Sequence, residues 1–221
     1  MLLHSIDALA RVNNLQRIFV LLAADDRYWR ETCDDVVALG MPDNGKPGSG
    51  KLDDGMRDKI TALYCGGATR AATVRNGLQQ IAEQVAADDW ILVHDAARPC
   101  VDPRRIEAMM ALLEDDLVGG LLALRVPDTI KRGSGDKVVE TISREGLWLA
   151  QTPQMFRYAL LRTALAALPE GAITDESQAV EALGLAPRLV VGDASNLKVT
   201  YAEDVALAEA ILLRFQRHLM S

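Results

Sequence analysis

Residues 90–113 read WILVHDAARPCVDPRRIEAMMALL, and this stretch decides the fold class. Its beginning, 90–94, is a short apolar and β-branched run, which predicts a buried strand. Asp102 followed by Pro103 is typical of a helix start, with a capping carboxylate and a proline at the first helical position. The pattern predicts that this helix runs to about Glu114. A buried strand followed by a capped helix is the repeating unit of an α/β fold.

The same alternation of strands and helices extends in both directions along the chain. Short apolar runs predict further strands at 17–23, 60–64, 120–126 and 188–191. Helical periodicity predicts helices at 5–12, 26–39, 69–86, 155–168, 174–183 and 203–219. We therefore expect one three-layer α/β domain over residues 1–221, with a mostly parallel, Rossmann-like sheet between layers of helices.

Two segments depart from this alternation. Residues 41–59 are rich in Gly, Pro, Asp and Lys and predict a long surface loop. The GKPGSGK run at 45–51 matches GxxxxGK, but Leu52 stands where a phosphate loop has Ser or Thr, and no strand precedes it. Residues 128–146 carry apolar strips on both sides of a GSGD turn and predict a β-hairpin. A hairpin cannot bury both of its own faces, so an arm at about 126–148 is expected to form a homodimer.

The composition excludes several classes of protein. There are 24 basic and 31 acidic residues, so the net charge is −7 and a broad basic surface for nucleic acid is not expected. No apolar run approaches the ~20 residues of a membrane helix. The three cysteines, Cys33, Cys65 and Cys100, are too widely spaced for a zinc motif or a disulfide framework. A reducing cytoplasm is therefore the expected location.

Two glycines and an aspartate follow the predicted strands. Gly66 and Gly67 come after the run 60–64 and before a helix, which is typical either of ligand-binding backbone N–H groups or of an ordinary turn. Asp95 follows the next strand, and two alanines after it leave room for a ligand. Because open α/β sheets bind ligands at the carboxyl ends of their strands, this carboxylate is a candidate for holding a metal–phosphate or a substrate hydroxyl. A helix cap is the weaker alternative because Asp102 already caps the next helix.

Three other residues near element ends each have two interpretations. Arg144 is either a site cation or a charge of the hairpin, and Thr174 is either a ligand contact or a helix cap. Lys198 lies in an otherwise uncharged run, which suits an inward-facing cation, although most lysines lie at the surface.

Seven segments together resemble the 2-C-methyl-D-erythritol 4-phosphate cytidylyltransferase family. They are LLHSIDAL (2–9), GGATRAATVRNGL (66–78), ILVHDAARPC (91–100), VPDTIKR (126–132), ISREGLWLAQTPQMF (142–156), ITDE (173–176) and NLKVTYAEDVALAE (196–209). They follow the family's order and span nearly the whole chain.

The resemblance implies an enzyme that joins CTP and methylerythritol phosphate, with Mg²⁺, and releases pyrophosphate. The substrate phosphate attacks the α-phosphorus of CTP, a reaction in which the protein mainly positions anions and stabilises charge. By resemblance, Arg144 and Lys198 are the catalytic residues that position the attacking phosphate. The implied substrate-binding residues are Asp95, Arg98, Thr129, Lys131, Thr152 and Thr174. The implied nucleotide-binding residues are Gly66, Gly67, Thr73, Asp95 and Ala96, and Asp95 is also the implied metal ligand.

The resemblance also bears on assembly and on alternatives. Arg98, Thr129 and Lys131 belong to the region where the arm of one subunit meets the site of the other, in agreement with the expected homodimer. Two other functions stay open: transfer of the cytidylyl group to another polyol phosphate such as ribitol 5-phosphate, and a non-catalytic dimeric remnant.

The resemblance does not reach the family's N-terminal segment. That segment is a strand, a glycine-rich loop and a PKQY-like run, which supply the Arg and Lys for the CTP triphosphate, and the sequence shows none of them. A misassigned start codon, a truncated chain and a degenerate copy all stay open as explanations. The strand is expected in the middle of the sheet, beside the strand that ends at Asp95. Residues 1–221 alone are therefore expected to fold poorly and to release no pyrophosphate.

Overall fold

The computed structural model describes residues 1–29, 58–167, 169 and 173–219. In chain order its elements are α1 (Leu2–Ala10), β1 (Ile18–Leu22), β2 (Ile60–Tyr64), α2 (Arg70–Gln80), β3 (Trp90–Val93), α3 (Pro103–Leu113), β4 (Gly119–Arg125), β5 (Ile130–Ser134), β6 (Lys137–Ile142), β7 (Trp148–Arg157), α4 (Tyr158–Ala167), α5 (Glu176–Glu181), β8 (Arg188–Val191) and α6 (Asp204–Leu219). Cys33, the run 45–51, and most of the expected 26–39 helix and 41–59 loop lie outside the described residues.

The described strands form two sheets and a separate hairpin. The larger sheet has the order β3-β7-β4-β8, while β1 and β2 form a parallel pair. β7 is antiparallel to both of its neighbours and β4 is parallel to β8, so β7 alone opposes the direction of the other three strands. Three of the four strands in this sheet thus run in the same direction, which confirms the expected mostly parallel sheet. The exception is β7, which lies between β3 and β4. In the described part of the chain, no strand pair joins β1 or β2 to β3.

Helices cover both faces of the larger sheet, as the side chains of β3 show. Ile91 and Val93 pack against a buried cluster that α2, α4 and α5 contribute. Trp90 and Leu92 point to the other face, where α3 covers them. Because successive side chains of a strand point to opposite faces, this alternation places the sheet between two layers of helices, as predicted.

The expected helix at 155–168 is wrong at its beginning. Met155, Phe156 and Arg157 are the last residues of β7, and α4 begins only at Tyr158. β7 itself was not predicted, because its centre reads QTPQ and a proline within a run argues against a central strand.

A bulge explains how this strand accommodates Pro153. Leu121 of β4 pairs with Gln154 and Ala123 pairs with Ala150, so three residues of β7 stand opposite one residue of β4. Pro153 has no N–H to donate and lies inside this irregular stretch, where the ladder does not require one.

Helix ends differ from the expected ends by a few residues. α2 stops at Gln80 rather than 86, and the carboxylate of Asp89 then accepts from the Ala86 N–H (2.7 Å) in a turn that leads into β3. α5 is capped by Asp175, which accepts from Gln178 N (2.9 Å), and not by the preceding threonine. None of the described helices has the length and apolar character needed to cross a bilayer.

The predicted hairpin is confirmed. β5 and β6 are antiparallel, from the pair Ile130–Ile142 to the pair Ser134–Lys137, and the chain reverses between them. Val138 and Val139 point to opposite faces of the arm and are 63% and 62% exposed. The arm therefore offers apolar surface on both faces.

Candidate active site

The turn between β2 and α2 is tightly packed, which explains its two glycines. The Gly66 N–H donates to the Leu22 carbonyl at the end of β1 (2.7 Å). A Cβ atom on Gly66 would lie 2.9 Å from that carbonyl oxygen, and one on Gly67 would lie 2.6 Å from the Ala72 Cβ. Glycine is thus required here by the close approach of the turn to β1 and α2.

The same turn is joined to the first residues of α2 by side-chain hydrogen bonds. Thr69 caps the helix by accepting from Ala72 N (3.1 Å). Thr73 Oγ1 accepts from Gly67 N (3.0 Å) and donates to the Thr69 carbonyl (3.0 Å). Two expected nucleotide contacts, Gly67 and Thr73, are therefore brought together, and a cavity of about 470 Å³ opens beside Gly66.

Asp95 lies directly after β3 and is held on three sides. Its N–H donates to Thr152 Oγ1 (3.0 Å), its Oδ1 accepts from Arg70 Nε (2.7 Å) and its Oδ2 accepts from Lys198 Nζ (3.1 Å). Burial alone raises the pKa of Asp95, but Arg70 and then Lys198 outweigh it and hold the pKa below its usual value. Asp95 is therefore a carboxylate at neutral pH.

The segment that carries Lys198 is fastened to the loop after β3. The Val199 N–H donates to the Ala97 carbonyl (2.8 Å), and Arg98 Nη1 donates to the Asn196 carbonyl (2.7 Å). These bonds place Lys198 beside the end of β3. Arg98 thus holds the backbone of the Lys198 segment.

The Thr152 hydroxyl is engaged inside the protein. His94 Nε2 lies 3.1 Å from the Arg98 carbonyl, which can only accept, so this nitrogen carries the proton. His94 Nδ1 then accepts from the Thr152 hydroxyl (3.1 Å), whose oxygen already accepts from the Asp95 N–H. Burial lowers the pKa of His94 to about 4, so the imidazole is neutral at neutral pH. Thr152 therefore fixes the backbone and the His94 side chain at the end of β3.

Arg70 and Glu176 complete the charged network, and sequence reasoning missed both. The guanidinium donates from Nη1 to Glu176 Oε1 (2.6 Å) and from Nη2 to Oε2 (3.0 Å), while its Nε contacts Asp95. Burial raises the pKa of Glu176, and the Arg70 charge opposes that rise. One signal was available: a cation at the first position of a helix is disfavoured by the helix dipole, so Arg70 needed a tertiary partner.

The family follows from comparison with known proteins. The family model described as IspD, 2-C-methyl-D-erythritol 4-phosphate cytidylyltransferase, matches residues 1–214. The chain belongs to the IspD family. IspD proteins are CTP-dependent cytidylyltransferases, so the resemblance found in the sequence is confirmed, as is the expected class of enzyme.

Individual IspD proteins align over nearly the whole chain. The 2-C-methyl-D-erythritol 4-phosphate cytidylyltransferase of Dechloromonas aromatica (strain RCB) is 46% identical over 213 residues, which are 96% of this chain and 84% of the relative. That of Laribacter hongkongensis (strain HLHK9) is 47% identical over 214 residues, covering 96% and 83%.

Solved structures show the same fold. A crystal structure of 4-diphosphocytidyl-2C-methyl-D-erythritol synthase superposes with a TM-score of 0.79 at 34% identity, over 96% of this chain and 90% of that chain. The Francisella tularensis 2-C-methyl-D-erythritol 4-phosphate cytidylyltransferase (IspD) superposes with a TM-score of 0.74 at 30% identity, over 95% and 87%. The expected nucleotidyltransferase fold is thereby confirmed.

The arm residues expected in the IspD site are not brought to Asp95 within one chain. Lys131 Nζ donates to Thr141 Oγ1 (2.6 Å) across the hairpin, and Arg144 Nη1 donates to the Pro127 carbonyl at the base of the arm. Thr129 is exposed just before β5. Within the described residues, no ion pair or side-chain hydrogen bond joins these three residues to the charged network around β3.

Thr174 lies two residues before Glu176, and Ala96 directly follows Asp95. The Thr174 hydroxyl and N–H both donate to Gln178 Oε1 (3.1 and 2.7 Å), and the residue borders a cavity of about 590 Å³ next to α5. Ala96 is exposed, and its carbonyl accepts from Ser5 Oγ (3.1 Å).

The residues fit a metal ion only if the nucleotide supplies most of its ligands. Among the described residues, no cluster of three or more His, Cys, Asp or Glu side chains could hold a metal. Asp95 is the carboxylate at the open end of β3, and Lys198 occupies its Oδ2. Mg²⁺ is commonly bound by one or two carboxylates together with substrate phosphates, and Asp95 could take that role beside its contact with Lys198.

Proposed function

We propose that this IspD-family domain transfers a cytidylyl group from CTP to 2-C-methyl-D-erythritol 4-phosphate and releases pyrophosphate. The observation that carries this proposal is the Lys198–Asp95 pair at the carboxyl end of β3, next to the glycine turn that begins α2. Ligands of open α/β sheets bind at this end of the strands. Family membership supplies the two substrates by name.

The reaction needs cations more than it needs a proton acceptor. A phosphate oxygen of methylerythritol phosphate forms a bond to the α-phosphorus of CTP, and the bond from that phosphorus to the β-phosphate oxygen breaks, so that pyrophosphate leaves with the electron pair. Both reactants are anions, and positioned cations stabilise the charge that develops during transfer. Lys198 supplies one such charge, and its side chain is 49% exposed, so it can reach an incoming phosphate.

The described residues divide between the two substrates. We assign four residues to the nucleotide: Gly66, which borders the cavity beside the turn, Gly67 and Thr73, which are hydrogen-bonded to each other, and Ala96, which follows Asp95. Asp95, Arg98, Thr152 and Thr174 are assigned to the polyol phosphate side, with Thr152 and Arg98 acting through the segments that they hold.

Mg²⁺ is assigned to this site with Asp95 as its protein ligand. When bound, the ion neutralises charge on the CTP phosphates. Lys198 Nζ carries three N–H donors, so it can contact a phosphate while it keeps its contact with Asp95 Oδ2. Asp95 keeps its Arg70 partner throughout and so stays ionised.

A second subunit completes the site in this proposal. Thr129, Lys131 and Arg144 belong to an arm whose Val138 and Val139 are exposed on both faces, and a second copy of the chain would cover them and receive the arm cations. Deletion of 130–142 is expected to give a monomer in sedimentation velocity at micromolar concentration. A dimer that persists without the arm would contradict this assignment.

Location in a reducing cytoplasm is proposed on the cysteines. Cys65 and Cys100 are both free thiols and both buried, and burial raises the pKa of the Cys100 thiol to about 11. Free buried thiols are common where disulfides do not form.

Pyrophosphate release tests the function directly. The assay compares residues 1–221 with an extended chain, in which any residues of the Dechloromonas relative that precede the aligned region are joined ahead of Met1. We expect the extended chain to release pyrophosphate with CTP, Mg²⁺ and methylerythritol phosphate, and at least ~10-fold more slowly with ribitol 5-phosphate, because a site built for one polyol leaves polar groups unpaired with another. A well-folded extended chain without release from either phosphate would leave the binding remnant as the better explanation.

A further inference from the structure

Four side chains of the site form a row of alternating charges. Lys198 Nζ lies 3.1 Å from Asp95 Oδ2, Arg70 Nε lies 2.7 Å from Asp95 Oδ1, and Arg70 Nη1 lies 2.6 Å from Glu176 Oε1. Lys198, at one end of the row, is 49% exposed, whereas Glu176, at the other end, is 1% exposed. The row thus leads from solvent into the interior.

Glu176 is the fixed end of this row. It lies in the first turn of α5, and both of its oxygens accept from the Arg70 guanidinium (2.6 and 3.0 Å). A buried carboxylate is costly unless it is paired, and a two-point contact with a planar guanidinium fixes the orientation of both groups. The Arg70 Nε is therefore aimed at Asp95 by a contact on its far side.

Fixing one oxygen of Asp95 decides what the other oxygen can do. With Oδ1 held by Arg70 Nε, the carboxylate cannot turn both oxygens to Lys198, so Lys198 is tethered through Oδ2 alone. A single, half-exposed contact of this kind is weak. The lysine charge is consequently held at the end of β3 and remains available to a phosphate.

We propose that Arg70 and Glu176 are positioning residues for the transfer reaction: they fix the Asp95 carboxylate and, through it, set the place of Lys198 between the two substrates. This inference rests on the proposed function. Arg70 is also the first residue of α2, directly after the glycine turn. The nucleotide side and the polyol phosphate side of the site are thereby joined through one guanidinium.

Kinetics of four variants of the extended chain test the proposal. Arg70→Met and Glu176→Gln are expected to lower kcat about 10- to 100-fold, the range typical for outer partners of site groups, with less than about threefold change in KM for CTP. Arg70→Lys keeps the charge but lacks the planar fork, so it is expected to recover only part of kcat. Arg104→Met is the matched control, because Arg104 pairs with Asp102 and its side chain is 80% exposed, and it should change neither parameter.

A double variant separates positioning from stability. Arg70→Leu/Glu176→Leu replaces an ion pair with a buried carboxylate by apolar groups, which often restores stability. We expect its melting temperature to recover toward wild type while kcat stays low, since Asp95 has lost its partner. Recovery of kcat to within about threefold of wild type would overturn the proposal, as would single variants that retain wild-type kcat.

An NMR measurement distinguishes this inference from the proposed function. The Nε–H resonance of Arg70 in ¹⁵N spectra is expected to be slow to exchange, and to shift in both Asp95→Asn and Glu176→Gln, whether or not the wild-type protein is active. If wild type shows no pyrophosphate release, the proposed function fails, and the resonance still reports on the contacts. An Arg70 resonance that neither variant moves would exclude the positioning role.

Discussion

Lys198 Nζ lies 3.1 Å from Oδ2 of Asp95, and the lysine side chain is nevertheless 49% exposed. The contact exists because the backbone around Lys198 is bonded to the loop after β3, not because the lysine is buried. An exposed ion pair is worth only about 0–1 kcal/mol. The lysine can therefore turn part of its ammonium group toward a phosphate at small cost.

Lys198→Met in the extended chain is expected to lower kcat by about 10²–10³, the loss typical for one group that stabilises transferring charge. The melting temperature is expected to stay near that of wild type, because the lost ion pair is half exposed. Stopped assays of pyrophosphate release and thermal melts of the same samples measure both quantities. Near-normal kcat in a folded variant would identify Lys198 as a surface charge.

Arg144 is expected to act in the site of the partner subunit. Arg144→Ala and Lys198→Met should each be inactive as homodimers, but mixing them creates heterodimers in which one site has lost both cations and the other has kept both. If subunits exchange freely, half of the dimers are mixed, and one of the two sites in each mixed dimer is intact. About a quarter of wild-type activity therefore returns. Activity that does not rise on mixing, with exchange verified by labelled subunits, would place Arg144 in its own chain's site or outside any site.

His94 is expected to make stability fall as the solution becomes acidic. The unfolded chain binds a proton at this residue near pH 6.5, whereas burial lowers the folded-state pKa to about 4. Between these values the unfolded state binds more protons, so the free energy of unfolding decreases as pH falls, by about 2 kcal/mol from pH 7 to pH 5. His94→Gln keeps one donor and one acceptor and should lack this part of the decrease in urea titrations. Parallel pH curves for the two proteins would contradict the assignment.

Residues 1–221 without further chain are expected to melt without a sharp transition and to release no pyrophosphate. In the described residues β1 and β2 form a sheet of their own, which no strand joins to β3, and unpaired strand edges leave backbone groups uncovered. Each large buried side chain contributes ~2–5 kcal/mol, against a total stability of ~5–15 kcal/mol. Calorimetry and the release assay on this chain beside the extended chain measure the difference. A cooperative melt with clear activity from 1–221 alone would show that this gap is tolerated.

The elements that local patterns specify were predictable from the sequence. β2 lies at the predicted residues Ile60–Tyr64, because an apolar run between turn residues leaves no alternative. α3 begins after Asp102, whose carboxylate accepts from Arg104 N (2.9 Å). β7 was not predictable, because its tolerance of Pro153 depends on how β4 pairs with it.

The site was only partly predictable for a similar reason. Asp95 could be found because its position after a buried strand is a local feature. The contact of Arg70 with Glu176 joins residues 106 positions apart, and no local pattern specifies it. Arg144, by contrast, donates to the Pro127 carbonyl at the base of the hairpin, and its proposed role in a partner's site stays a prediction.

The bulge in β7 fixes how long this part of the chain can be. Side chains of a strand alternate between faces, so removing one residue between Ala150 and Gln154 would turn every later residue of β7 to the opposite face. Phe156 would then leave the interior. Thr152 would lose its hydrogen bond with the Asp95 N–H. At the arm tip, by contrast, a side chain on Gly135 would meet no atom within 4 Å. Insertions and deletions among homologues should therefore accumulate at the tip and be absent from the bulge.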